Sequence, residues 1–423
     1  MIDKVGFFVY DIVIGWWPLI GTFILGHIAW ILWAHYVRND FMSGIEWAVL
    51  EVVPPRDVLR SPKAMELFFT NALYQATNKQ FLEKFWRGHV RFWFSLEIAS
   101  IEGNVHFYVR VPSRLVGLVQ TQMYAQYPQA NVKVVPDYTL AVDEISEKSA
   151  WNLWGFELKL SKSDPYPIKT YVDFGLDKDP KEEYKIDPIS PLVELFGAIE
   201  RGEQMWLQII VRVSEKKYHT HGTLWKHHTW EQESEHEMEK LTEQYTKVSS
   251  DEHSKKSTKE IRPPKWLEGV IDGISRKTTK LGFETGIRAV YVAKKESFSN
   301  NSRRNMRLIF RQYAAPYLNG FERVNSVGFQ YPWAHTESAA WKLKDRMRLE
   351  YQERALFHHP LRSHIYMPFP LTAFVPRYNH PHIFVLNTEE LATIWHFPGQ
   401  IMQVPGLERI ESKEAAPPTN LPM

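Results

Sequence analysis

Histidine and arginine are the side chains of this chain whose types and spacing can do chemistry. His219 and His221 form an H-x-H, His227 and His228 follow closely, and further pairs stand at His358-His359 and His380-x-His382. Imidazoles two residues apart on a strand point the same way and can share a metal. A site must also meet the test of ligand identity and count, and no carboxylate or further ligand stands at a convincing spacing, so no metal ligand is assigned. Arg303, Arg307 and Arg311 recur every four residues, which places them on one helix face with Arg304, Asn305 and Tyr313 nearby. That face suits phosphates or an acidic partner; a solvated charged face is the commoner outcome. A second basic group is Arg276, Lys277 and Lys280.

The motifs of nucleotide and acyl chemistry are missing. There is no G-x-x-x-x-G-K-[ST], G-x-G-x-x-G, G-x-S-x-G or H-E-x-x-H; the nearest phrase, Gly273-Ile-Ser-Arg-Lys-Thr-Thr, lacks both the glycine spacing and a Gly-Lys pair. The absence of cysteine excludes disulfides, cysteine-ligated iron–sulfur clusters and thiolate nucleophiles. A net charge of +2 gives no global field towards nucleic acid. The sequence therefore reads as a non-enzymatic chain with no catalytic residue and no cofactor.

The elements that position these residues begin with Ile12 to Val37, a run with no Asp, Glu, Lys or Arg. It exceeds the roughly 20 apolar residues that a membrane-crossing helix needs, and Trp16, Trp17, Trp30, Trp33 and Tyr36 flank it as interfacial rings do. The expectation is a transmembrane anchor over 1–40. Arg38, Arg56, Arg60 and Lys63 follow the run, which favours a single-pass protein of the inner (cytoplasmic) membrane with its body on the cytoplasmic side.

Beyond the anchor, 45–53 alternates as a strand, Ser61-Pro62 starts a helix, and 90–100 and 105–111 alternate around the turn Glu102-Gly103-Asn104. A helix from Ser113 and a strand from Ala130 complete β-α-β-β-α-β, the ferredoxin-like plan, over 41–150. A similar order recurs over 151–330. Its expected strands include 154–160 and 170–174. Its first helix, Ser190-Pro191-Leu192-Val193-Glu194-Leu195-Phe196, echoes Ser61-Pro62…Glu66-Leu67-Phe68 and is stopped by Gly202; its second spans 300–317. An insertion over about 214–280 interrupts this copy with a charged helical hairpin that reads as a protruding contact element. Residues 331–423 read as a polar helix over 339–357, a Pro- and aromatic-rich extended stretch and a proline-rich tail. The fold class expected is thus α+β: a transmembrane helix, then two ferredoxin-like modules by internal duplication.

The C-terminal stretch carries a resemblance. Leu386-Asn-Thr-Glu-Glu-Leu-Ala-Thr-Ile-Trp-His-Phe-Pro-Gly, then Val404-Pro-Gly and Pro417-Pro-Thr-Asn-Leu-Pro, resemble the lead-in segment of conjugation and type IV secretion-type ATPases, where such phrases come just before the motor. Residues 46–135 also resemble the N-terminal region of membrane-anchored bacterial relatives of that group. The resemblance implies a membrane-anchored accessory or adaptor subunit of such a transfer system. Its partners would be the membrane, a separately encoded P-loop ATPase and further copies of itself in a homo-oligomer. No ATP-binding residue carries over, because no position matches the motor. The alternative is a membrane-tethered nucleic-acid binder that meets DNA through Arg303, Arg307 and Arg311.

Overall fold

Alternation of apolar and polar residues decides where this chain forms strands, and in the computed structural model it does so on a large scale. Residues 2–55, 60–75, 81–178, 186–219, 227–252, 264–327, 337–358, 382–399 and 407 are described. The helices and strands, in chain order, are α1 (Ile2–Ser43), β1 (Trp47–Val53), α2 (Lys63–Phe68, continued by a π turn, Phe69–Leu73), α3 (Phe81–Phe85), β2 (Phe94–Ile101), β3 (Asn104–Pro112), α4 (Val116–Gln126), β4 (Asn131–Val135), β5 (Trp151–Leu160), α5 (Ser190–Gly197), β6 (Glu203–Val213), β7 (Lys217–His219), β8 (His227–Thr229), α6 (Trp230–Glu252), α7 (Lys265–Thr278), β9 (Gly282–Lys294), α8 (Asn300–Met306), β10 (Phe321–Val324), α9 (Glu337–Gln352), β11 (Phe384–Asn387) and α10 (Thr388–Ile394). They divide into two units, one of 1–46, 77–91 and 357–380, the other of 47–76, 92–356 and 381–423.

In the first unit α1 packs on α3 and the turn after it through rings: Trp30 lies 5.7 Å from Phe85 and Trp33 5.6 Å from Trp86, centroid to centroid. Gly88 sits at φ +65°, and a Cβ there would stand 2.1 Å from the Val37 carbonyl oxygen, so only glycine fits. Among the described residues no helix is long and apolar enough to cross a membrane. This overturns the expected transmembrane anchor, the single-pass inner-membrane localisation and the orientation built on it. The physical reason lies in the run's composition. Over the part of the run whose side chains are described (Leu19 and 21–37), Thr22, His27, His35 and the polar groups of Trp30, Trp33 and Tyr36 dilute the apolar character, and Arg38-Asn39-Asp40 closes it.

The second unit corrects the fold class further. The chain is α+β, built on one nine-stranded antiparallel sheet in the order β10-β5-β9-β6-β2-β3-β1-β4, with β11 also on β9. Residues of both expected modules contribute to it. Within each half the strands follow one order by position: fourth, first, third, second. The halves join where β2 pairs with β6, from Phe94 opposite Val211 to Ile101 opposite Gln204.

Both faces of the sheet are covered. On one, Leu50, Leu96, Phe107, Leu207 and Ile287 meet Phe68 of α2, Met123 of α4, Phe196 of α5 and Met306 of α8. On the other, Ala99, Tyr108, Trp206 and Val290 meet Met347 and Tyr351 of α9 and the Tyr138–Ile145 segment. The hairpin turn Glu102-Gly103 has positive φ at both residues (53° and 87°), the primed turn that matches strand twist.

Three local expectations give way. Residues 170–174 form a turn, because Asp173 accepts from the Thr170 N–H and hydroxyl. The helix expected over 300–317 ends at Met306, with a separate 3₁₀ turn at Arg311–Tyr313. Gly202 serves the turn into β6 at φ +83°, beyond the end of α5 at Gly197, where Lys294 donates to its carbonyl.

Candidate functional site

The C-terminal phrase singled out in the sequence is built into the sheet. β11 pairs with β9, from Phe384 opposite Thr285 to Asn387 opposite Gly282. It takes the edge of β9 left open where β5, paired with Ile287–Lys294, stops. Asn387 then caps α10 with a full capping box. Its side chain accepts from the Glu390 N–H at 2.8 Å, and the Glu390 carboxylate accepts from the Asn387 N–H at 2.9 Å. Every residue from Thr388 to Ile394 is buried.

Two adjacent carboxylates in a buried helix demand partners. They come from the basic group on α7 and just beyond it. Lys277, itself buried, holds Glu390 at 3.0 Å and also donates to the Val385 carbonyl. Arg276 and Lys280 hold Glu389 at 3.1 and 2.7 Å. Lys280 also pairs with Glu66 of α2 at 2.9 Å, Tyr171 donates to Glu66, and Arg276 reaches Asp173 at 3.0 Å. Burial raises the Glu390 carboxyl above its ordinary value despite the attraction of Lys277. The insertion helix therefore acts as a clamp on the C-terminal segment. Trp395, fully buried, plugs the sheet among Phe69, Phe107 and Phe397. His396 closes the segment against Asp187 at 2.9 Å, with its other ring nitrogen on the Ala392 carbonyl. Burial works to raise the Asp187 carboxyl, but the charge and hydrogen bond of His396 hold it below its ordinary value.

A second buried polar centre lies on the opposite face. The strand register sets Lys133, Glu51, Tyr108, Glu97, Gln208, Arg288 and Glu157 side by side, one per strand from β4 to β5. Arg354, after α9 and at φ 52°, grips Glu97 with two nitrogens at 2.8 and 3.0 Å and also pairs with Asp137. Tyr138 and Ser95 donate to Glu97, and Gln208 bridges Glu97 and the Tyr351 carbonyl. Arg288 pairs with Glu157 at 2.6 Å. Sequence reasoning missed this centre. Its signal was a charged residue near the middle of each largely apolar strand: Glu97 in FSLEIASI, Arg288 in GFETGIRAVYVAK and Glu157 in WNLWGFELKL.

The residues proposed from sequence scatter more widely. Arg303 lies on α8, Arg307 at its exit and Arg311 on the separate 3₁₀ turn, so the three do not share one continuous helix. Arg307 lies over the Trp154 ring at 5.1 Å. Among the described residues no three His, Asp or Glu side chains converge to hold a metal. His219 pairs in register with His227, and His228 meets Glu233. His221, His359 and His380 lie outside the described residues, as do 364–381 and the proline-rich tail.

Both centres are built around buried carboxylates. Their carboxylates are neutralised by cations, which makes them devices for holding elements in register. No curated protein matches the chain. A family model described as "Domain of unknown function (DUF8128)" matches residues 39–324, from before β1 to the end of β10. That span covers well over half of the sequence, and the chain belongs to the DUF8128 family.

Proposed function

We propose that this chain is a non-catalytic accessory or adaptor subunit of a type IV secretion-like or conjugative transfer system, docking a separate P-loop ATPase. The observation that carries the reading is the burial of Phe384–Phe397. The phrase that resembles the lead-in to such motors is a strand and a capped helix fixed in a sheet, with each of its charged side chains paired. A segment held in this way passes the orientation of the sheet to whatever is bound beside it. Fold by itself assigns no function, so the reading rests on that phrase and on its rigid mounting.

The test is to co-express the chain with the P-loop ATPase encoded beside it and measure masses by size-exclusion chromatography with light scattering. A stable joint complex at micromolar concentration is expected, and the chain alone is expected to run above its 49.8 kDa monomer mass, as a homo-oligomer. Separate elution of the two proteins, with no change in ATPase rate on mixing, defeats the proposal.

A further inference from the structure

Lys295, Arg303, Arg307, Arg323 and Lys344 form one neighbourhood in the sheet unit, and none of the five has a carboxylate within ion-pair distance among the described residues. Lys295 follows β9 and donates only to the carbonyls of Ser146 and Glu147. Lys344, on α9, donates to the Asn152 side-chain oxygen at 2.8 Å. Both ammonium groups lie over the Trp341 ring, at 5.0 and 4.1 Å. The Nε of Arg303 is buried with no hydrogen-bond partner. Arg307, one helical turn further, lies over Trp154.

The charges feel one another. Burial, then the fields of Lys295 and Arg303, lower the Lys344 ammonium below its ordinary value. Burial, then the field of Arg307, does the same to Arg323. The two subgroups connect through Arg303 and Arg307, which stand four residues apart. Elsewhere in this unit Arg212, Lys216, Arg276, Lys277, Lys280, Arg288 and Arg354 have carboxylate partners, while half-buried Arg110 and Lys169 lie over the Trp47 and Phe174 rings. Five neighbouring cations with no carboxylate between them, one of them carrying a buried nitrogen without a hydrogen-bond partner, suit an anion from outside.

We infer that Lys295, Arg303, Arg307, Arg323 and Lys344 form a binding surface for the phosphate backbone of nucleic acid. The inference does not use the C-terminal clamp and stands or falls apart from the ATPase reading. An extended polyanion fits better than a small anion, because the cations sit on α8, its exit turn, β10, α9 and the end of β9. Three of the five are arginines, whose planar forks match phosphate oxygens, and a nucleic-acid backbone has the charge density to neutralise them together.

The test is fluorescence anisotropy of the full chain with labelled single-stranded and duplex DNA across a salt series. The triple variant R303Q/R307Q/K344Q is expected to weaken binding about 30-fold or more at 0.1 M salt, and to flatten the slope of log affinity against log salt by about 2–3. The charge-matched control K63Q/K240Q/K265Q, at exposed lysines of α2, α6 and α7, should change affinity by no more than about threefold. The exposed single variant K295Q, which leaves packing intact, should weaken binding about fivefold and serves if the triple variant fails to melt cooperatively. Equal losses in the triple variant and its control overturn the inference, as does no binding at low salt. Displacement of DNA by equimolar poly-glutamate also overturns it, in favour of an acidic protein.

Discussion

Glu97 shows what a single residue demands of this fold. It is fully buried in the central strand β2, and the cation that matches it, Arg354, comes from 257 positions away. Burial pushes the Glu97 carboxyl up, but the charge of Arg354 and the hydrogen bonds from Arg354, Ser95 and Tyr138 outweigh burial and hold it below its ordinary value. Asp137 is lowered by the same cation against the same opposition. Both folded-state values lie below the unfolded ones, so this stabilisation is complete above about pH 4.5 and is lost as pH falls through the folded values. Urea midpoints measured from pH 7 down to pH 3 should drop below about pH 4.5, and E97Q/D137N should flatten that drop. Replacing Arg354 alone with Met leaves Glu97 unmatched and should cost about 3–5 kcal/mol, whereas E97Q/R354M should recover most of it. A midpoint for R354M within error of the parent chain would show that the pair carries no such weight. The alternation of β2 was readable in FWFSLEIAS. The partner was not, because nothing local links position 97 to position 354.

At the scale of elements, the C-terminal strand and helix are held by a strand pairing, a capping box and the cations Arg276, Lys277 and Lys280. Substituting Asn387 with Ala removes one half of the capping box and should cost about 1 kcal/mol. Substituting the fully buried Trp395 with Ala should cost about 3–5 kcal/mol through lost contacts and a cavity. Chemical denaturation monitored by circular dichroism checks both, and a Trp395→Ala cost under about 1 kcal/mol would mean that the segment is only loosely held. The sequence displayed the Asn-x-x-Glu signal of this cap and the basic group on α7. It did not show that they meet, since Lys277 and Glu390 are 113 residues apart. The helix expected over 300–317 failed for a different reason. Met306, Ile309, Phe310 and Tyr313 are all buried, and a run of short turns presents that spacing to the sheet as well as a helix does.

For the molecule as a whole, the two strand sets behave as one sheet because β2 and β6 share a full ladder. The amides of β2, β6 and β9 should therefore be the last to exchange with deuterium, and at a common free energy. Two groups of protected amides, one for each half, with free energies differing by more than about 2 kcal/mol would show that the halves open independently. The recurrence of strand and helix signals was legible because it depends on local patterns. Whether the two sets stay apart or fuse depends on the edges of β2 and β6. Both strands are largely apolar on one face and mix polar and apolar residues on the other, and a pairing partner cannot be read from that.

One feature bears on how the protein is made. β9 lends the same side to β5 and to β11, and translation delivers these two tenants at very different times. By the time the ribosome has finished α9, eight strands of the large sheet have been made, while Gly282–Thr285 still offers unsatisfied amides and carbonyls and the niche for Trp395 beside Phe69 and Phe107 is still empty. The nascent chain thus passes through a stage with a sticky selvage, and only its closing stitch makes the fabric safe from its neighbours.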